Sequence, residues 1–138
     1  MSTIFNDISV ALDTQLSTLS GSSPIAWQNT NYTPAKGTLY LRPTNLPANV
    51  NQSGLGSGGY DNHSGIYQID VFAPISEGRG DAEVKADAVA DHFKRGTDLS
   101  YNGVTVRLGN VSRTSGVVVD DRYVISISVN YLVHATPR

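Results

Sequence analysis

The residues with chemical potential in this 138-residue chain gather in one stretch, 53–65, which reads SGLGSGGYDNHSG. Five of its thirteen residues are glycine, and Asp61 and His63 follow closely. A glycine-rich turn can cradle phosphate when it leaves a strand and opens a helix, because the first-turn N–H groups then face the anion. Here the stretch leads into an extended apolar run at Ile66, and no Lys-Ser or Lys-Thr pair follows. The phosphate reading fails on context, and a mobile connector or hairpin arm over 48–64 is the better expectation. Asp61 and His63 stand two apart, but an acid–base pair needs a third group and a dry pocket to hold it. No metal-ligand spacing accompanies them.

Other short matches carry less. His92 and His134 read as surface histidines, and neither a Gly-x-Ser-x-Gly elbow nor a His-Glu-x-x-His pattern occurs. Arg79-Gly80-Asp81 matches an adhesion tripeptide, yet a turn at Gly80 followed by an Asp81 helix cap explains it better. Three Asn-x-Ser sequons, at Asn51, Asn62 and Asn110, have no secretory signal before them. The N-terminal segment lacks the basic start and apolar block of such a signal and reads as part of the fold. No cysteine is present, which excludes disulfides and thiolate chemistry together. No catalytic, cofactor or metal set emerges.

Charge says more. A net charge of −2 and a pI near 5.8 argue against a nucleic-acid binder, which needs clustered Lys and Arg. No acidic residue lies between Thr14 and Tyr60, whereas residues 77–98 hold six of the twelve. Glu83, Asp87 and Asp91 are spaced four apart and form an acidic ridge on one helix face. Such a ridge is either a solvated face balanced by Lys85, Lys94 and Arg95, or a surface that meets a basic partner or repels DNA.

These residues need elements to position them. Ile4, Ile8, Leu12, Leu16 and Leu19 recur at helical spacing, so an amphipathic helix is expected over 3–19, capped by Ser2 and ended by Gly21. A short extended stretch at Ile25–Trp27 and a strand around Leu39–Leu41 follow. Beyond the polar stretch, Tyr67, Ile69, Val71 and Ala73 alternate on one strand face, with Ile66 and Phe72 on the other, and Pro74 ends the strand. A second helix is expected over 81–94, with Ala82, Ala86, Val89, Ala90 and Phe93 inward and Gly96 closing it. Asn102-Gly103 predicts a tight hairpin turn before a strand at Val104, and Asp120-Asp121 predicts another before the long alternation Tyr123–Val133. The class is α+β: a single mixed, largely antiparallel sheet in one domain spanning 1–138, with both helices on one face. No apolar run approaches the roughly 20 residues of a helical membrane span.

Five segments in order, SPIAWQN, TLYLRP, GIYQIDVFAPISEGRG, ADAVADHFKRGTDL and DRYVISISVNY, resemble the tail terminator (tail completion) proteins of long-tailed phages and prophages. Where many members place a Trp before the final strand, this chain has Arg122-Tyr123. The resemblance implies a virion protein without catalytic residues or cofactor, made in the host cytoplasm. It also implies a homo-hexameric ring that caps the tail tube, stops its polymerisation and meets the head connector while DNA passes through. Leu55, Tyr60, Asp61 and His63 of the glycine-rich arm are then candidates for contact with a neighbouring subunit or the tube. Two alternatives stand beside it: another neck or tail component, such as a head-completion ring or tube subunit, and a small carbohydrate-binding module using Trp27, Tyr32 and Tyr60.

Overall fold

The computed structural model describes residues 4–19, 25–27, 39–52, 61–74, 80–101, 103–114, 116–119 and 122–135. The elements run α1 (Ile4–Ser17), β1 (Tyr40–Gln52), β2 (Asp61–Pro74), α2 (Gly80–His92), β3 (Asp98–Tyr101), β4 (Val104–Arg113), β5 (Val117–Val119) and β6 (Arg122–Ala135). The six strands form one sheet in the order β1-β2-β6-β4-β3, with β5 on the β4 side of β6. Every strand pair is antiparallel, and one isolated parallel bridge joins Ile25 to Leu41. The fold is α+β, as the residue pattern predicts.

Alternation decides which side of the sheet is covered. Tyr67, Ile69, Val71 and Ala73 of β2 and Ile125, Ile127, Val129, Tyr131 and Val133 of β6 all point to the helices and are buried. Val104, Val106 and Leu108 of β4 extend the same layer. Over it α1 places Ile8, Ala11, Leu12 and Leu16, and α2 places Ala82, Ala86, Val89 and Phe93. Both helix stripes have the 3.6-residue spacing that turns one face inward. Small alanines on α2 bring its axis close to the strands, and Phe93 fills the space at its end.

Several boundaries differ from expectation. The helix expected over 3–19 stops at Ser17: the Ser17 and Thr18 hydroxyls donate to the carbonyls of Thr14 (2.6 Å) and Gln15 (2.7 Å), diverting them from the helical ladder. Ser2 and Gly21, its expected caps, lie outside the described residues. Gly80 is already helical, so Asp81 lies inside the first turn of α2 and does not precede it. The largest change is in the polar stretch. Positions 48–52 and 61–64 are strand, not connector, because β2 pairs with β6 from Asp61↔Ala135 to Pro74↔Arg122, and β1 follows β2 as far as Gln52↔Asp61. Backbone pairing to a long partner overrides weak local propensity.

Turn chemistry holds where it was expected. Tyr101 pairs with Val104 across the Asn102-Gly103 turn, where Gly103 takes φ +81°. Val119 pairs with Arg122, leaving the two residues 120–121 to connect β5 and β6. Gly65 has another role: the Tyr131 ring lies over it, so a Cβ there would come within 2.5 Å of the Tyr131 hydroxyl. That space lets the Tyr131 hydroxyl donate to Asn45 Oδ1 at 2.8 Å, while Asn45 Nδ2 donates to Ser9 of α1.

Candidate assembly surfaces

The residues singled out in the sequence separate in the structure. Leu55 and Tyr60 lie outside the described residues, as does Tyr32, and Asp61 opens β2. His63 is not on a mobile arm at all. It points to the helix side of β2, is 5 % exposed, and meets Phe5 of α1 edge to face at 5.3 Å. Neither ring nitrogen has a hydrogen-bond partner among the described residues. Among the described residues nothing holds it as a base. Trp27 is half-buried and packs against the core, which removes it as a flat sugar platform.

His92, expected at the surface, is half-buried and ties the two helices together. Its Nε2 lies 2.7 Å from the Gln15 carbonyl oxygen and 2.8 Å from Thr18 Oγ1. A carbonyl only accepts, so the ring proton sits on Nε2. In return Gln15 Nε2 donates to the His92 carbonyl at 2.9 Å, satisfying an orphan acceptor at the end of α2. Nearby, the Tyr67 hydroxyl donates to Asp13 Oδ1 at 2.5 Å. Burial pushes the Asp13 carboxyl above its usual range, and the bond from Tyr67 pulls partly against that. Burial, then the Asp13 charge and hydrogen bond, hold the Tyr67 phenol protonated far above its usual range. These are structural contacts between helices and sheet. The side chain of His134 is outside the described set.

The acidic ridge meets a base from its own chain. Arg113 at the end of β4 reaches Asp87 at 3.4 Å and Glu83 at 3.9 Å, long contacts that leave the Asp87 side chain 70 % exposed. Asp91 is exposed as well, and Val84, between Glu83 and Lys85, is 71 % exposed. This places an exposed apolar side chain on α2 beside its carboxylates.

The sheet face turned away from the helices carries a second cluster, which the alternation at Ile66 and Phe72 only hinted at. Register aligns Tyr40, Phe72, Val124 and Val117 in a row across β1, β2, β6 and β5. Tyr40 and Phe72 stack at 4.8 Å and 4°. Arg42 lies 5.2 Å over Phe72, and Arg122 lies 5.2 Å over Tyr40. Arg107, by contrast, is engaged by both oxygens of Asp98, at 2.9 and 3.1 Å. Arg42 has no carboxylate among the described residues: Asp70, opposite it, accepts from Gln68 Nε2 and Ser126 Oγ. Val117 and Val118 at the edge of this region are each 56 % exposed. No pattern of spaced charges could have revealed a site that exists only through cross-strand register.

Among the described residues no helix is long and apolar enough to cross a membrane, and no group of three His, Cys, Asp or Glu could hold a metal. One solved structure, whose name states no function, superimposes with a TM-score of 0.78 at 26% identity, covering 99% of this chain and 100% of its own. No curated protein matches the chain. The phage tail terminator protein family matches over residues 7–131, which takes in most of α1, both sheet faces and all but the end of β6. With that match over nearly its whole length, the chain belongs to the phage tail terminator family and is a structural component of the phage tail.

Proposed function

We propose that the chain caps the finished tail tube as a homo-hexameric ring, halts tube growth and offers the surface to which the head joins. The family match over 7–131 carries this reading. The shape of the subunit supports it. One sheet face is consumed by the helices, while the other keeps an arginine-capped aromatic row for external contact. A closed ring exposes a different surface on each side, so one side can match the tube end and the other refuse a further tube subunit. The work is geometric and needs no catalytic group. DNA crosses the channel without specific binding, in keeping with a chain of net charge −2. The partners are the tube protein and the neck proteins of the connector, and the place is the virion neck, after synthesis in the host cytoplasm. The glycine-rich segment 53–60, with Leu55 and Tyr60, and Asp61 beside it, is the part proposed to reach the tube. Electron microscopy of particles assembled without this protein tests the reading. Tails of uncontrolled length lying apart from filled heads are expected; joined tails of normal length would overturn it.

A further inference from the structure

A ring made of one kind of subunit, as proposed above, needs two unlike surfaces per copy, because a head-to-tail contact never pairs a patch with itself. The molecule carries two such patches on opposite sides. On the outer sheet face, Phe72 and Val117 offer apolar area, and Arg42 above Phe72 is a cation without a carboxylate among the described residues. On the helix layer, α2 presents Val84, 71 % exposed, with Asp87 and Asp91 one and two turns further along. The first patch is apolar with positive charge, and the second is apolar with negative charge. Asp70 on the first patch is already engaged by Gln68 and Ser126, and Arg113 reaches the second only at long range, so the remaining charges are complementary, and the sheet keeps the two patches apart within one chain.

We propose that the outer sheet face of one copy docks on α2 of the next copy, with Val84 packing against Phe72 and Val117 and Arg42 meeting Asp87 and Asp91. The occupant of the arginine-capped face is thus a second copy of this chain. Arg113 does not compete strongly for the ridge, since its contacts of 3.4 and 3.9 Å leave Asp87 mostly in solvent. Stacking Arg42 on Phe72 fixes the guanidinium plane before contact, so little side-chain freedom is lost on docking. Aromatic and arginine side chains at the centre of a patch are the usual anchors of protein interfaces. Tyr40 and Val124, beside Phe72 in the same row, are already buried.

The inference rests on the ring reading, and cross-linking separates the two. The chain has no cysteine, so Val84→Cys and Val117→Cys introduce the only thiols. Both positions are exposed, and neither change disturbs the core. Tails carrying the double variant, treated with a short bis-maleimide, are expected to give a ladder of covalent multimers that ends at the ring number. Each single variant should give none. A ladder from Val117→Cys alone would mean a self-pairing interface and would overturn the proposal. So would the absence of a ladder in the double variant when micrographs of the same tails show rings, a result that leaves the ring reading standing. If micrographs of the unmodified protein on tails show no ring, the ring reading fails and this interface fails with it. Charge reversal supplies a second measure. Arg42→Glu should weaken assembly by about tenfold or more, well beyond the small fall in melting temperature expected from losing the Phe72 contact and facing Asp70, and adding Asp87→Arg in the same chain should restore assembly but not the melting temperature. Unimpaired assembly of Arg42→Glu would also overturn the proposal.

Discussion

The two faces of the sheet are built from the same strands and are finished in opposite ways. On the inner face, residues such as Tyr67, Ile69, Ile127 and Val129 are fully buried under two helices, and the Tyr67 and Tyr131 hydroxyls are paired with Asp13 and Asn45, His63 being the exception. On the outer face, arginine side chains of the same sheet lie over Tyr40 and Phe72, and Ile66, Leu132 and Leu46 stand 36 to 48 % exposed. The inner face is complete as a monomer. The outer face is where the second copy is proposed to dock. Stability and assembly should therefore respond to different residues.

The largest effect is expected inside. Phe93→Ala empties a fully buried site between α2 and the Tyr67 ring, 5.6 Å away, and should cost about 3–5 kcal/mol by chemical unfolding. A loss under 1 kcal/mol would show that the helix layer is looser than its packing implies. Gly65→Ala comes next. Its new Cβ would press on the Tyr131 hydroxyl at 2.5 Å and the Leu46 carbonyl oxygen at 2.8 Å, so about 1–3 kcal/mol should be lost. Replacing Tyr131 with Leu in the same chain should recover only part of this, because the backbone contact remains.

His63 should move the other way. A buried ring with neither nitrogen partnered costs desolvation without return, so His63→Leu is expected to stabilise the protein by about 1 kcal/mol, read as a higher melting temperature. A drop would reveal a partner for the ring. The smallest effect concerns Asp13, whose carboxyl burial holds above the usual value of 3.8. The native state thus binds that proton more tightly than the unfolded chain does. The associated stability is full below 3.8 and fades as pH rises through the native value. Asp13→Asn keeps an acceptor for the Tyr67 hydroxyl and should give a flatter stability curve from about pH 4 to neutrality. A steeper curve would contradict the assignment to burial.

The inner face was legible in the sequence because it is written in periodicity. Ile8, Leu12 and Leu16 at helical spacing, and Tyr67 through Ala73 at strand spacing, each name their own burial. The Asn102-Gly103 turn was equally local. What periodicity could not show was anything that depends on two distant segments meeting. The strand character of 61–64 comes from pairing with 132–135, and the burial of His63 comes from Phe5 far away in α1. His92 looked like one more polar helix residue until Gln15 and Thr18 arrived beside it. The stack of Tyr40 on Phe72 and the cover given by Arg42 and Arg122 likewise need the register of three strands. Glu83, Asp87 and Asp91 lie along α2, and Arg113, which reaches Asp87 and Glu83, comes from β4 and not from the helix.

A closed ring at one end of the tail can be counted where it acts. Cryo-electron microscopy of the purified neck and tail end, with symmetry imposed only after classification, gives both its position and its copy number. Six copies in one closed ring at the head-proximal end are expected, with the outer sheet face of each subunit against α2 of its neighbour. Copies spread along the tube, or a single copy at its end, would contradict it.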